Sequence, residues 1–599
     1  MPKTRRLLFV FHCLCLIAMA LAFTPAVLAE DDVALRAMKD ELARSVKQLQ
    51  LQAMDKPYFI AYRMDEISET TVSAKLGSLT HTEPGRRRVI GVELRVGDYA
   101  LDNSNYFAMS RMRGGFGEMF GNISSAPLDD NYDQIRRQLW LATDTQYKKA
   151  LEDLSGKRAA LQMRKRTEEL PDFSKEPSST VMDAKDSSAT ELKELETLAR
   201  QLSDVFHAWP QISRSSVEIH QQNFYTRYVN SEGSTFTRSQ PVIKVEVSAE
   251  SQAEDGLPLA DTLEFYGRSR SDIPSSSALM GEVTAMAARL EKLRGAPTME
   301  RYNGPVLFEG TAAGEIFAQQ FATGLSSMRA PMSDEPRFEV FFNQMMGQMG
   351  GTSFIDKLGG RVLPDFLSVV DDPLQYEYKG TKLLGATKVD DDGVKTRQTV
   401  LVQNGILKTL LSTRAPVRSV LQSTGSRRGW GAAPSNLFLN AKTSVSAQKL
   451  RDDLMARVRD RGLPYGVVVR RVGGGASAGF LRVVARMTAN PEAGPSGSLA
   501  EAYRVYADGH EELIRGLELA DVSASAFKDI VEVGDKPYVF TDQFIPRLGS
   551  FLSIGGSASA DIPVVSCVVP PILFEELSLV KAEGPFPTPP ISPSPLAKQ

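Results

Sequence analysis

The stretch VLVQNGILKTLL, residues 400–411, carries the clearest short-range fold signal in the chain. Asn404-Gly405 separates two runs of aliphatic residues, and both members of this pair tolerate the positive φ angles of a two-residue hairpin turn. The same device recurs at Asp508-Gly509 within EAYRVYADGHEELIRG. These patterns predict β-hairpins. The half of the chain after Pro305 is therefore expected to be rich in strands, with one helix from Ala447 to about Arg461.

The first half alternates between long helices and strands. Apolar residues recur at steps of three and four in the predicted helices, which cover 33–49, 132–170, 190–207 and 276–293. Alternation of period two in KPYFIAYRMDE, VIGVELRV and IKVEVSAES predicts strands between them. The predicted fold class is α+β, with mixed α/β N-terminal modules that contain antiparallel strands and long helices, and a β-rich C-terminal domain.

Composition shifts divide the chain into six segments. PDFSKEPSSTVMDAKDSS is poor in large apolar residues, Gly295-Ala296-Pro297 is a breaker, and the last 17 residues are rich in proline. The predicted segments are a signal peptide (1–29), an N-terminal module with a long charged helix (30–170), a linker or exposed loop (171–188), a middle module (189–296), a C-terminal domain (304–582) and a disordered tail (583–599).

The first 29 residues predict export. Lys3, Arg5 and Arg6 precede an apolar run from Leu7 to about Ala22, and Val27-Leu28-Ala29 supplies the small residues of a cleavage site. The apolar run is interrupted by a histidine and is too short to span a bilayer comfortably. We expect a periplasmic or secreted protein without an integral membrane segment after cleavage.

Charge and cysteine content exclude several classes of function. The formal net charge is −3, and cleavage of the signal peptide would make it more negative, so no basic surface for nucleic acid is expected. Cleavage would also remove Cys13 and Cys15, which leaves Cys567 and no internal disulfide. Cys567 lies in the apolar run DIPVVSCVVPPILF, where a thiol is typically an inert core residue.

Histidine placement argues against a zinc site built from histidines. His81, His207, His220 and His510 are too far apart for two of them to share a helical turn, and surface positions are the simpler interpretation. No G-x-S-x-G elbow is present. The chain therefore shows no local motif for hydrolysis.

Three other motifs suggest ligand binding, but each also has a simpler structural interpretation. FFNQMMGQMGG holds Met345, Met346 and Met349, which could bind copper(I), although a mobile apolar loop that packs against a partner requires less assumption. Residues 389–393 lack the ligand spacing of a calcium loop and predict a solvated turn. Residues 473–475 lack a phosphate-binding lysine and predict a flexible connection between strands.

Four blocks of sequence, in this order, resemble the TldD/PmbA (TldD/TldE) metallopeptidase family. They are GPVLFEGTAAGEIFAQQFATGLSS, then VVDDPLQYEYKGTKLLGATKVDDDGVKTRQTVLVQNGILKTLLSTR, then GSLAEAYRVYADGHEELIRGLELA and finally IPVVSCVVPPILFEELSL. The resemblance covers 304–582 and is loose before it. Catalytic members of the family carry His-Glu, three residues and His on a helix, with a Cys from the strand just before the E-A-Y sequence of the third block.

The resemblance implies that this chain has lost the family's metal site. Its ligand positions fall on Ala318, Thr323 and Leu499, and its general base falls on Gln319. Methyl and isobutyl groups offer no donor electrons, threonine is a poor ligand, and a carboxamide takes up no proton near neutral pH. We therefore expect no catalytic residue, no metal and no cofactor, with zinc as the cofactor if this interpretation is wrong.

The resemblance further implies a non-catalytic, TldE/PmbA-like subunit that binds or confines extended peptides. Its expected partners are a second copy of itself in a homodimer or an active TldD-like relative in a heterodimer. Two alternatives stay open. The chain could be an active peptidase or other hydrolase with an unrecognised site, or a binding or structural protein of the cell envelope.

Overall fold

The computed structural model describes residues 32–108, 124–164, 169–340, 353–473, 499–520, 523–547 and 562–582, with residue 550 and parts of the tail (586, 588, 590 and 592–597). The predicted signal peptide and Met345, Met346 and Met349 lie outside the described residues, as do eight of the 17 residues of the predicted disordered tail. Within the described residues, no helix is both long and apolar enough to cross a membrane.

The helices follow the periodicity of the sequence. They are α1 (Val33–Gln48), α2 (Tyr132–Met163), α3 (Leu192–Asp204), α4 (Ser276–Gly295), α5 (Thr311–Ile316) and α6 (Ala447–Asp460). Polar side chains cap several N-termini: Asn131 accepts the Gln134 N–H at 2.9 Å, and Ser446 accepts the Lys449 N–H at 3.3 Å. Such caps satisfy backbone donors that have no partner inside the helix.

The strands of the first half form one seven-stranded sheet, apart from the short strand β3 (Tyr106–Phe107). The sheet contains β1 (Pro57–Lys75), β2 (Ser78–Val96), β4 (Ser124–Ser125), β5 (Thr180–Met182), β6 (Arg214–Asn230), β7 (Thr235–Gln252) and β8 (Pro258–Gly267). The strand order is β4-β2-β1-β6-β7, and both β5 and β8 pair with β7. Because β1 pairs with β6 from Ala61–Asn230 to Ala74–Val217, the segments 30–170 and 189–296 contribute to a single sheet.

Within the described residues, the second half contains two sheets and two short ribbons. The six-stranded sheet, in the order β15-β14-β11-β18-β25-β24, contains β11 (Leu367–Asp371), β14 (Thr399–Gln403), β15 (Ile406–Leu407), β18 (Asn436–Ala441), β24 (Tyr538–Gln543) and β25 (Val564–Val569). The seven-stranded sheet contains β9 (Arg301–Phe308), β19 (Gly466–Val472), β20 (Leu499–Val505), β21 (Glu511–Ile514), β22 (Leu517–Leu519), β23 (Ile530–Val533) and β26 (Ile572–Lys581). The ribbons pair β12 (Glu377–Tyr378) with β13 (Thr381–Lys382) and β16 (Arg427–Arg428) with β17 (Gly431–Ala432), and β10 (Met332–Ser333) pairs with β3.

The predicted fold class and the predicted hairpin at residues 404–405 are confirmed. Asn404 and Gly405 have φ angles of 51° and 77°, and they connect β14 to β15 as an antiparallel pair. A Cβ at Gly405 would lie 2.2 Å from the Leu363 carbonyl oxygen, so this turn also packs against the chain before β11. Both glycine properties, the positive φ and the missing side chain, are needed here.

The segment 171–188 differs from the predicted linker or exposed loop. Phe173 is 2 % exposed, and its ring lies between the guanidinium groups of Arg95 and Arg414, at 3.8 and 3.9 Å from their carbon atoms. Further along, Thr180–Met182 pairs with β7 as a parallel strand. One buried aromatic ring and backbone hydrogen bonds hold this segment in place, although it contains few apolar residues. Its composition gives no indication of this packing.

The acidic run at residues 389–393 is a buried turn, so the prediction of a solvated turn is wrong. Asp390, Asp391 and Asp392 are at most 4 % exposed, because arginines of both halves surround them. Arg63 binds Asp391 at 2.8 Å, Arg238 binds the same carboxylate, and Arg427 bridges Asp392 to Glu93. We call these six residues and Glu93 together the ionic interface.

Glycine completes the contact between the two halves at this turn. Gly393 has a φ of 75°, and a Cβ there would lie 2.9 Å from the Tyr228 ring and 3.0 Å from the Ser234 side chain. Tyr228 donates to the Asp392 carbonyl at 3.2 Å, and Ser179 donates to the Gly393 carbonyl at 2.6 Å. The D-D-G sequence therefore forms the joint between the N-terminal sheet and the C-terminal domain.

Asp391→Asn is expected to destabilise the protein by about 3–5 kcal/mol, because it leaves the buried Arg238 guanidinium without its counter-charge and Arg63 with Asp65 alone. Burial opposes ionisation of Asp391, yet Arg63 and Arg238 hold its pKa well below the ordinary value. This contribution is therefore complete above about pH 4 and is lost as the pH falls below that. The measurement is the first unfolding transition in denaturant at pH 7 and pH 3.

The matched control is Asp460→Asn, which removes an exposed carboxylate at the end of α6. It should change stability by no more than about 0.5 kcal/mol. Equal effects of the two substitutions at pH 7 would contradict the role assigned to the ionic interface.

Candidate functional site

The helix that carries Ala318, Gln319 and Thr323 is not a regular α-helix. Helix α5 continues into a π-helical turn over Phe317–Phe321 and then a 3₁₀ turn over Ala322–Leu325. In an α-helix, residues five positions apart point about 140° away from each other. The π turn, with its i→i+5 hydrogen bonding, brings positions 318 and 323 toward a common face. The backbone thus has the form that a pair of ligands with this spacing requires.

Aromatic side chains fill the inner side of this helix. The Phe321 ring lies 5.0 Å from that of Phe354 and 5.1 Å from that of Phe527, and Phe317 stacks on Phe321 at 5.4 Å. Ala318 is 5 % exposed in the same apolar core. Edge-to-face and offset aromatic pairs add to the burial of apolar area. This side of the helix is accordingly packed as a protein interior.

The structure brings Leu499 into the same core. Leu499 begins β20, is 6 % exposed, and pairs with Val472 of β19. The Val472 N–H donates to the carboxylate of Glu315 on α5. Contacts therefore run from the helix through β19 to β20. They connect positions 318 and 499, on which two of the family's ligand positions fall.

Gln319 and Thr323 are only partly buried, unlike Ala318 and Leu499. At the end of the helix, Arg547 donates to the Thr323 carbonyl at 3.1 Å and to the Ser326 carbonyl at 3.2 Å. These carbonyls lack intrahelical partners, so a cation is favourable there. Arg547 thus anchors the helix end on the chain after β24.

The groups at these four positions do not fit a zinc ion. Zinc takes histidine nitrogen, thiolate or carboxylate ligands, and none of the four side chains supplies one. In the part of the chain that the structure describes, no three His, Cys, Asp or Glu side chains gather in an arrangement that could hold a metal ion. No chemical step through a metal is derived for this chain.

The remaining sequence candidates lie apart from this helix. His81 and His220 are on strands of the N-terminal sheet, His207 follows α3, and His510 lies in the exposed turn between β20 and β21. Cys567 is fully buried on β25, as predicted, and burial raises the pKa of its thiol. Of residues 473–475, only Gly473 is among the described residues.

Glu315 is a feature that the sequence analysis did not single out. It is 6 % exposed, and burial raises its pKa to about 7, opposed by Arg471 and by the Val472 N–H. Perturbed carboxyls of this kind are common at functional sites. Here the carboxylate holds β19 against α5, which is a positioning role. The sequence feature that could have pointed to Glu315 was a single charged residue within the otherwise apolar stretch GEIF.

One family model matches the C-terminal half of the chain, and two relatives align over short stretches. Residues 301–581 match the PmbA/TldA metallopeptidase C-terminal domain. A metalloprotease of Methanocaldococcus jannaschii is 40 % identical over 79 residues, 13 % of this chain and 16 % of its own length. The metalloprotease PmbA of Escherichia coli O157:H7 is 31 % identical over 122 residues, 19 % of this chain and 22 % of its own length. The alignments thus span less than a quarter of either relative.

Solved structures extend the likeness of fold to nearly the whole chain. TldE from Thermococcus kodakarensis aligns with a TM-score of 0.53 and 11 % identity, covering 91 % of this chain and 100 % of its own. A proposed DNA gyrase modulator from Thermotoga maritima aligns with a TM-score of 0.55 and 15 % identity, covering 91 % and 99 %. The two-sheet C-terminal domain and its helix thus share the fold of these structures. Residues 301–581 form a domain of the PmbA/TldA metallopeptidase C-terminal type, and through this domain the chain resembles the TldD/PmbA family.

Glu315→Gln tests the positioning role of this carboxyl. The pKa of Glu315 is raised when folded, so wild-type stability falls between about pH 4.5 and pH 7, where only the unfolded chain loses the proton. The carboxamide can still accept the Val472 N–H without carrying charge. We expect little effect at pH 5 and a gain of up to ~3 kcal/mol at pH 8.

The measurement is the unfolding midpoint at both pH values. The control is Glu300→Gln, which changes an exposed carboxylate paired with Lys581 and should give the same small effect at pH 5 and pH 8. If Glu315→Gln changed the stability by the same amount at pH 8 as at pH 5, the raised pKa of Glu315 would be contradicted.

Proposed function

We propose that this chain is an exported, non-catalytic member of the TldD/PmbA family that binds or confines extended peptides. In this proposal it assembles with a second copy of itself or with an active relative that supplies the metal. The match of the C-terminal domain and the fold support this proposal. Export, loss of catalysis and peptide binding are proposed in addition to them.

The observation that carries the proposal is the packing at the aligned ligand positions. The π turn has the shape that two ligands five residues apart require, yet Ala318 and Leu499 are buried in an apolar core at 5 % and 6 % exposure. A zinc ion at that position would have no ligands from these side chains, and water bound to it would have no general base. A scaffold kept without its reactive groups favours a binding or partnering role.

Peptide binding is supported by the kind of surface that the fold offers. Edge strands bind unfolded chains through main-chain hydrogen bonds, with little demand on sequence. Both β24 and β21 are edge strands among the described residues. Tyr538, on β24, is 46 % exposed and provides an apolar contact beside that edge.

The test is incubation of the purified mature chain with a labelled, unstructured peptide, with and without chelator. We expect saturable binding that chelator does not change, and no cleavage. A folded protein of similar charge serves as the control ligand and should not bind. Cleavage at catalytic rates would contradict the proposal, and failure to bind any extended peptide would favour the structural envelope role. Recovery of a relative that keeps the His-Glu-xxx-His helix from the native source would identify the partner.

A further inference from the structure

A cleft of about 330 Å³ lies between the N-terminal sheet and the C-terminal domain, away from the helix described above. Part of the lining comes from β6 and β7, including Gln222, Phe224, Lys244 and residues 238–242. Residues 384 and 386–388 of the C-terminal domain also line the cleft, together with Tyr266 and Arg268. Its size lies within the range of ligand-binding pockets.

The cleft is rich in cations, and most of them already face an acid or a carbonyl. Lys244 binds Glu246 at 2.6 Å and Glu264 at 2.8 Å. Other pairs in the lining are Lys388 with Asp183 at 2.8 Å, Arg238 with Asp391, and Arg428 with the Gly385 carbonyl at 2.7 Å. These groups shape the cleft and raise its positive potential, but their charges are largely compensated.

Arg268 differs from these cations. Its guanidinium donates to the Leu383 carbonyl at 3.3 Å and lies 5.5 Å from the Tyr376 ring centre. Among the described residues no carboxylate lies within ion-pair distance of it. Burial lowers its pKa, which the more distant Tyr376 and Asp272 only partly oppose. A half-buried guanidinium without a counter-charge favours an anion, and its planar fork suits a carboxylate.

A stretch of backbone beside Arg268 is also without a partner. On the outer edge of β7, β5 covers residues 235–237 and β8 covers residues 243–252. Within the described chain, no strand pairs with residues 238–242 on that edge, and all five line the cleft. The Thr237 carbonyl faces this edge, since it accepts from Asp183 at 3.1 Å. Backbone groups alternate along a strand, so the N–H and carbonyl of Ser239 face it as well, and so does the carbonyl of Pro241, which has no N–H.

The side chain of Gln240 adds a third unsatisfied group. Its Oε1 atom is buried, and no described residue donates a hydrogen bond to it. A buried acceptor without a donor costs free energy that a ligand N–H can recover. The terminal torsion of glutamine is soft, so the carboxamide can turn toward a ligand in the cleft.

We propose that this cleft binds the free C-terminus of an extended peptide, with the terminal carboxylate on the Arg268 guanidinium. The preceding backbone lies along residues 238–242 as an added strand, and one of its N–H groups donates to Gln240. This inference rests on the peptide binding proposed above and specifies which part of the peptide is recognised. Tyr376, 40 % exposed at the rim, contacts the side chain of a bound residue.

The experiment compares three versions of one unstructured peptide by titration calorimetry with the full mature chain. One has a free C-terminal carboxylate, one is amidated, and one is amidated with Asp as its last residue. We expect the free acid to bind at least about tenfold more tightly than the amide, the value of a hydrogen bond to a charged group. The Asp-containing amide distinguishes a side-chain carboxylate from the terminal one and should bind like the plain amide.

Arg268→Gln should bring the affinity for the free acid down to that for the amide and leave the amide unchanged. The control, Lys382→Gln, removes a nearby exposed cation that pairs with Glu377 outside the cleft, and should preserve the preference. Equal binding of acid and amide by the wild-type chain would overturn this inference while leaving peptide binding intact. A tighter Asp-containing amide would overturn recognition of the terminus. Absence of binding by all three peptides would overturn both proposals together.

Discussion

The contact between buried arginines of the first half and the acidic turn of the second half is the constraint on which the rest of the structure depends. Arg63 and Arg238 reach across to Asp391, and Arg427 of the second half joins Asp392 to Glu93 of the first half, all with little exposure to water. Buried ions of this kind are costly unless each is paired. The two halves are therefore held in one relative position, because separation would leave several charges without partners.

This fixed arrangement explains why polar features appear where the two halves meet. The cleft near Arg268 is lined by residues of both halves, and one of them, Arg238, also belongs to the ionic interface. The helix with the π turn lies instead within the C-terminal domain, where Phe321, Phe354 and Phe527 supply an apolar surrounding. One region is thus polar and recessed, and the other is packed. The proposals of peptide recognition and of lost catalysis follow from this difference.

Local features of the fold could be predicted from the sequence. The Asn404-Gly405 turn depends on two adjacent residues, and α4 and α6 follow from apolar periodicity with capping serines, so neighbouring residues contain the information. The family resemblance indicated the C-terminal scaffold and located positions 318, 319, 323 and 499. Burial of these positions around a π turn was not predictable, because it depends on aromatic residues up to about 200 positions away.

Features that depend on distant partners were missed. Residues 389–393 looked like a solvated turn because an acidic run is normally hydrated, and the arginines that bury it are at positions 63, 238 and 427. Phe173 in a polar segment gave no sign that two guanidinium groups enclose its ring. Arg268 is unusual because no carboxylate of a described residue pairs with it. No sequence pattern reveals such a missing partner.

The most direct measurement of the central claim is the zinc content of the full chain after purification with zinc present. The comparison is a variant with Ala318→His, Gln319→Glu, Thr323→His and Leu499→Cys, which supplies three ligands and a base on the same backbone. We predict far less than one zinc per wild-type chain and close to one zinc per chain in the variant. Stoichiometric zinc in the wild-type chain, lost on Thr323→Ala, would contradict the account.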